Sequence, residues 1–176
     1  LLSPDNPTGR TLDQKNLEGI VELAEDRNIW LIMDDIYKDI LFEGNFVNSR
    51  RFGGYGNTVT CSSFSKSASI PGFRSGYVYG PEEVISKMEI ASATVNLAAQ
   101  KPMQFCIEKF LENHAAVKKK YVSKTVVPTY RKRRDFMAKC LKKYLSHANF
   151  AMPKGAFYFF PSMAHYLKEM RTTDEV

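Results

Sequence analysis

The 176 residues carry 44% hydrophobic, 25% charged and 12% aromatic side chains with a net charge of +6, which excludes a disordered chain and allows a sizeable core. No apolar run approaches the roughly 20 residues of a membrane helix, and no charged-then-apolar leader suggests secretion. Cys61, Cys106 and Cys140 lack C-x-x-C spacing and His114, His147 and His165 lie far apart, so free thiols in a reducing, cytoplasmic compartment and no metal site are expected.

Leu1-Leu2-Ser3 reads as the end of a strand, followed by the turn-rich run Pro4 to Gly9. Leu17, Ile20, Val21 and Ala24 share one face of a helix over 13–27, which Asn28 can end. Ile29 to Met33 predicts a buried strand, and this β–α–β order predicts parallel neighbours. Thr58 to Ser62 and Arg74 to Tyr79 are two further strands. The segment between them is too short for a crossover helix, so the pair is expected to be antiparallel. Pro81 and Pro102 open helices to about Val95 and 117. A long helix over 121–146 must kink or split at Pro128. Strands are expected over 150–152 and 156–160, then a helix near 162–171. The fold class is α/β, with a boundary near residue 118.

Residues 118–143 hold eleven cations and one acid, a local charge of +10 that leaves the remaining chain at −4. The runs at 118–120 and 131–134 could suggest nucleic acid. Tyr130, Phe136, Met137, Leu141 and Leu145 lie at helical spacing beside them, so a solvated helix with an apolar stripe is the expectation, with neither nucleic acid nor membrane as partner.

Three clusters carry functional groups: Asn6-Pro7-Thr8-Gly9, Asp34-Asp35-Ile36-Tyr37 and Ser63-Phe64-Ser65-Lys66 with Arg74 eight residues on. Taken singly, each has a plain structural explanation. The first is a good turn, the second terminates a strand, and a loop lysine is usually solvated. Their order and spacing, continued by Pro71-Gly72-Phe73-Arg74-Ser75-Gly76-Tyr77, Tyr130-x-x-Arg133-Arg134-Asp135 and Pro153-x-Gly155-Ala156-Phe157-Tyr158, resemble the class I/II aminotransferases, pyridoxal-phosphate enzymes of fold type I.

That resemblance implies part of a large cofactor-binding domain over 1–118, a mostly parallel sheet with helices on both faces, and part of an α+β small domain over 119–176. It implies that Lys66 forms a Schiff base with pyridoxal 5'-phosphate and then moves the substrate Cα proton, and that Asp34 keeps the cofactor ring nitrogen protonated. Tyr37 and Asn6 would bond the ring oxygen, and Arg74 with Ser63 the phosphate. Asp35 would point to the other side and be structural. The implied reaction is transamination between an L-amino acid and a 2-oxo acid such as 2-oxoglutarate, in a homodimer. A C–S β-lyase, and an inactive truncated module, are the alternatives. Family residues that grip the substrate α-carboxylate and stack on the ring fall outside these 176 residues, so the expectation is a fragment that is inactive alone.

Overall fold

In the computed structural model, which describes residues 1–173, the chain opens on a short pairing of Leu2 with Asp34 and then forms α1 (Gln14–Asp26). Asp13 caps α1, its carboxylate accepting from the Asn16 amide at 2.8 Å. At the other end Asn28 takes a left-handed φ of 50°. The amides of Asn28 and Ile29 bond back to Glu25 and Ala24, so the last carbonyls are satisfied and the chain turns sharply into the sheet.

Three strands form the sheet among the described residues, in the order β1 (Leu31–Asp34), β2 (Thr58–Ser63), β3 (Gly76–Tyr79). β1 and β2 are parallel, with Leu31 opposite Thr58, and β2 and β3 are antiparallel, with Ser63 opposite Gly76. Leu17, Val21 and Ala24 of α1 pack on Leu31 and Met33 to form one core, with Leu12, Ile20, Val47 and Phe52 around it. The strand expected to be buried along its whole length instead alternates. Leu31 and Met33 are buried while Ile29, Trp30 and Ile32 are exposed, because α1 covers only one face of the sheet.

After β2 come the single turn α2 (Phe64–Ser67) and β3, then α3 (Glu82–Asn96) and α4 (Lys101–Glu112). The helix expected to reach 117 is interrupted at Asn113 and resumes as α5 (His114–Val117). Pro128 neither splits nor ends the next helix. Lys118–Val126 widens into a π-helix whose last bond runs from the Val127 amide to the Val122 carbonyl. Pro128 then falls in the first turn of α6 (Val127–Tyr144), where its missing N–H is tolerated.

The buried side of this helix differs from the expected stripe. Val122, Val126 and Ala138 are buried and Tyr130 half-buried, whereas Phe136 and Met137 are exposed. Val126 joins Ile40 and Phe42 in a second core, flanked by Val127, Tyr130 and Phe157. The cations are also not all solvated. Lys118 reaches Asp39 at 2.6 Å, Arg131 donates to the Phe42 carbonyl, and Arg134 lies over the Phe42 ring while donating to the Pro153 carbonyl at 3.0 Å. The strands expected over 150–160 reduce to two isolated antiparallel pairings, Leu41 with Gly155 and Asn149 with Ser162, before α7 (Ala164–Thr173). Among the described residues no helix is long and apolar enough to cross a membrane.

Candidate functional site

The six site residues expected from sequence gather beyond the carboxyl ends of β1 and β2, where open α/β sheets hold their ligands. Asp34 ends β1. One carboxylate oxygen accepts the Ile36 amide at 3.0 Å, and the other is free of a hydrogen-bond partner among the described residues. The turn that follows buries Tyr37, whose ring meets Phe157 edge-on at 5.4 Å and Tyr158 edge-on at 5.6 Å. The Tyr37 and Tyr158 hydroxyls share a hydrogen bond in which either can donate. Burial, the Tyr158 bond and the nearby Asp34 charge raise the Tyr37 pKa, with the Asn6 side chain opposing them, so Tyr37 is held as a neutral phenol.

Ser63 ends β2 and caps α2, accepting the Ser65 amide at 2.9 Å and donating to the Ser75 carbonyl at 3.1 Å. This second bond closes the excursion from Ser63 to Arg74, returning the chain beside its own start. Two residues of that excursion, Ser69 and Arg74, hold left-handed φ of 58° and 51°, conformations that cost a non-glycine residue. The result is a pocket of about 290 Å³ whose lining includes Ile36, Ser63, Ser65, Lys66, Arg74 and Ser75. The Arg74 guanidinium is exposed and, among the described residues, bonds only the Pro71 carbonyl, at 3.1 Å. Lys66 is half-buried, and its Nζ lies 5.3 Å from the Phe157 ring centre and 5.9 Å from that of Tyr37, with no hydrogen bond or ion pair among the described residues.

Asp35, one residue from the site, is buried on the side of β3. Burial pushes its carboxyl up to about 6, with Asp34 adding to the rise and Lys38 and the Tyr79 hydroxyl opposing it. Lys38 in turn donates to the Tyr77 hydroxyl at 2.5 Å.

Sequence reasoning gave no role to Ser65, buried in the pocket wall, or to Phe157 and Tyr158, which close the site from the far end of the chain. Ser65 sits inside the Ser-x-Ser-Lys motif and could have been found there. The other two stand in the run Pro153-x-Gly155-Ala156-Phe157-Tyr158, which the sequence marks without giving either a role. That glycine and Gly9 have no room for a side chain. A Cβ on Gly9 would lie 2.5 Å from Pro153 Cβ, and one on Gly155 would lie 2.6 Å from Pro4 Cγ. The first turn and the 153–158 segment therefore touch backbone to backbone, with the Lys154 and Gly155 amides on the Gly9 carbonyl at 2.8 and 3.1 Å.

The donor set fits pyridoxal phosphate. A cationic guanidinium and two serine hydroxyls beside an unpaired amine suit a phosphate next to a reactive carbonyl, and the free Asp34 oxygen suits a protonated ring nitrogen.

An aspartate aminotransferase of Sulfolobus acidocaldarius is 32% identical over 99% of this chain, and one of Thermotoga maritima 34% over 90%; the chain spans 42% and 40% of their respective lengths. A solved double mutant of the Thermus thermophilus aspartate aminotransferase superposes over 94% of this chain, and 42% of its own, with a TM-score of 0.86 at 28% identity. The model of the family aminotransferase class I and II matches residues 1–175, and the chain belongs to that family, with the fold-type-I architecture of its solved relatives.

Proposed function

We propose that this chain supplies the cofactor-binding centre of a pyridoxal-phosphate-dependent aminotransferase, which passes the amino group of an L-amino acid to a 2-oxo acid such as 2-oxoglutarate. The observation that carries this reading is the Lys66 amine, without a hydrogen bond or ion pair among the described residues, in a pocket with Arg74 and two serines and near the Tyr37 ring. Residues 1–118 belong on this reading to the large domain and 119–176 to the small one, in a cytoplasmic homodimer. Solved relatives include a Thermus thermophilus aspartate aminotransferase with maleate and an aromatic aminotransferase from Pyrococcus horikoshii, which supports amino and oxo acids as the substrate class.

When bound, pyridoxal phosphate supplies an aldehyde that condenses with amines and a ring that stores the electron pair of a broken C–H bond. Lys66 is the residue that would hold the aldehyde carbon, and its amine, once released, would accept the proton from the substrate Cα. Asp34 would keep a proton on the ring nitrogen, Tyr37 and Asn6 would donate to the ring oxygen, and Arg74 with the Ser63 hydroxyl would hold the phosphate.

Borohydride reduction of the protein with pyridoxal phosphate, followed by peptide mapping, should place the label on Lys66. In the complete enzyme Lys66→Ala should remove the label and lower 2-oxoglutarate-dependent glutamate formation by about 10²–10⁴-fold. Label on another lysine, or pyruvate and ammonia from cysteine derivatives as the sole products, would overturn the assignment.

A further inference from the structure

Tyr37 is the hinge of the proposed site, and what orients its hydroxyl comes from the opposite end of the chain. The segment 153–158 is fixed on two sides by backbone bonds. Lys154 and Gly155 donate to Gly9, the Phe42 amide donates to Lys154 at 2.8 Å, and the Ala156 amide donates to Ile40 at 2.9 Å. Ala156 is fully buried at a left-handed φ of 56°. Tyr158, two residues on, therefore stands on a rigid support and brings its hydroxyl onto that of Tyr37.

A phenol has one proton to give and two lone pairs. If Tyr37 donates to Tyr158, it has none left for a ligand. If Tyr158 donates, the Tyr37 proton is free to point into the site, and the two bonds polarise one another. We propose that Tyr158 is a positioning residue for Tyr37: it accepts the Tyr37 proton when the site is empty and turns to donor when an anionic or phenolic ligand oxygen arrives, aiming the Tyr37 proton at that oxygen.

The identity of the ligand rests on the function proposed above; the hydroxyl pair does not. The groups facing Tyr37 are consistent with a hydroxyl that never ionises. Asp34 and Tyr158 raise its pKa together with burial, Asn6 opposes them, and the Lys66 amine lies over the ring rather than on the oxygen. Across the working pH range Tyr37 is then a donor whose direction alone is adjustable, and Tyr158 adjusts it.

Tyr158→Phe keeps the ring and its contact with Tyr37 and removes only the hydroxyl. In the protein loaded with pyridoxal phosphate, the pH midpoint of the bound cofactor's absorption band should rise by roughly half a unit to one unit, the size of one lost hydrogen bond. Tyr37→Phe should raise it further, and the double variant should match Tyr37→Phe alone. An unmoved midpoint in Tyr158→Phe, or a shift that persists in full on the Tyr37→Phe background, overturns the proposal. A second arm needs no cofactor. With ¹³Cζ-labelled tyrosine, the Tyr37 resonance of the unloaded protein should stay un-ionised beyond pH 11 and titrate earlier in Tyr158→Phe; identical titrations overturn the positioning role. If pyridoxal phosphate gives no absorbing complex and no label on Lys66, the functional reading fails, while the labelled-tyrosine titration still decides the role of Tyr158.

Discussion

The β-sheet with α1 and the helical pair α3–α4 have similar apolar content and opposite fates. α1 places Leu17, Val21 and Ala24 against Leu31 and Met33, and every one of these is buried. α3 and α4 bury no residue: Ile90 is 71% and Phe105 67% exposed, and Phe110 meets Phe64 edge-on at a 6.0 Å separation. The difference shows where positional accuracy in the site originates. Asp34 extends directly from the strand that carries Leu31 and Met33, so its carboxylate inherits the rigidity of a packed core. Tyr37 is tied in from the second core, through Phe157. The α3–α4 pair contributes no residue to the proposed chemistry, and its apolar side chains add little to the stability of these 176 residues.

The sharpest way to break this contrast is a matched pair of truncations. Met33→Ala removes a side chain only 2% exposed at the α1–β1 contact and should cost about 2–5 kcal/mol. Ile90→Ala removes an exposed one and should stay within about 0.5 kcal/mol. Urea unfolding measures both. A comparable loss in the two variants would mean that α3 is as firmly packed as the sheet. Amide exchange offers a second view, with β1 and β2 protected and α3 exchanging well before them.

A smaller effect comes from the acid within the packed region. Asp35 titrates near 6 in the folded chain against an ordinary value of 3.8, because burial disfavours its charge. The native state therefore holds a proton that the unfolded chain releases. The penalty is fully present above about pH 6, shrinks as pH falls through that value, and is gone below the unfolded pKa. Asp35→Asn should thus raise stability at pH 7 by roughly 1–3 kcal/mol and flatten the profile between pH 7 and 4. Unfolding curves at a series of pH values check it; a variant less stable than wild type at pH 7 would show that the Tyr79 and Lys38 partners outweigh burial.

How much was legible in the sequence follows the range of the interactions. Asp13 and Asn28 bracket α1 by local chemistry alone, and the short Ser63–Arg74 excursion dictates an antiparallel return, so both could be read residue by residue. The order of Asn6, Asp34, Tyr37, Ser63, Lys66 and Arg74 could be read as a family motif, and the structure brings Ser63, Lys66 and Arg74 to one pocket with Tyr37 near Lys66. The segment 150–160 has strand-forming residues, but among the described residues its one isolated pairing is Gly155 with Leu41, and a strand exists only by pairing. The π-helix before Pro128 depends on where the helix docks, with Val122 and Val126 buried and Lys118 on Asp39. The Tyr37–Tyr158 bond spans 121 positions and leaves no periodic trace.

The smallest predicted effect lies on α3 itself. Glu83 and Lys87 face each other one turn apart at 2.6 Å, the only side-chain ion pair of that helix among the described residues, with both side chains more than 70% exposed. An exposed pair of this spacing gains little, because water screens the attraction and two long side chains lose freedom. Lys87→Ala should cost no more than about 0.3–0.5 kcal/mol at low salt, and the difference should vanish near 1 M salt, where the screening length is about 3 Å. A loss above about 1 kcal/mol that persists in salt cannot come from the ion pair. It would have to come from the Lys87 stem packing on an apolar neighbour, and α3 would then possess a packed face after all.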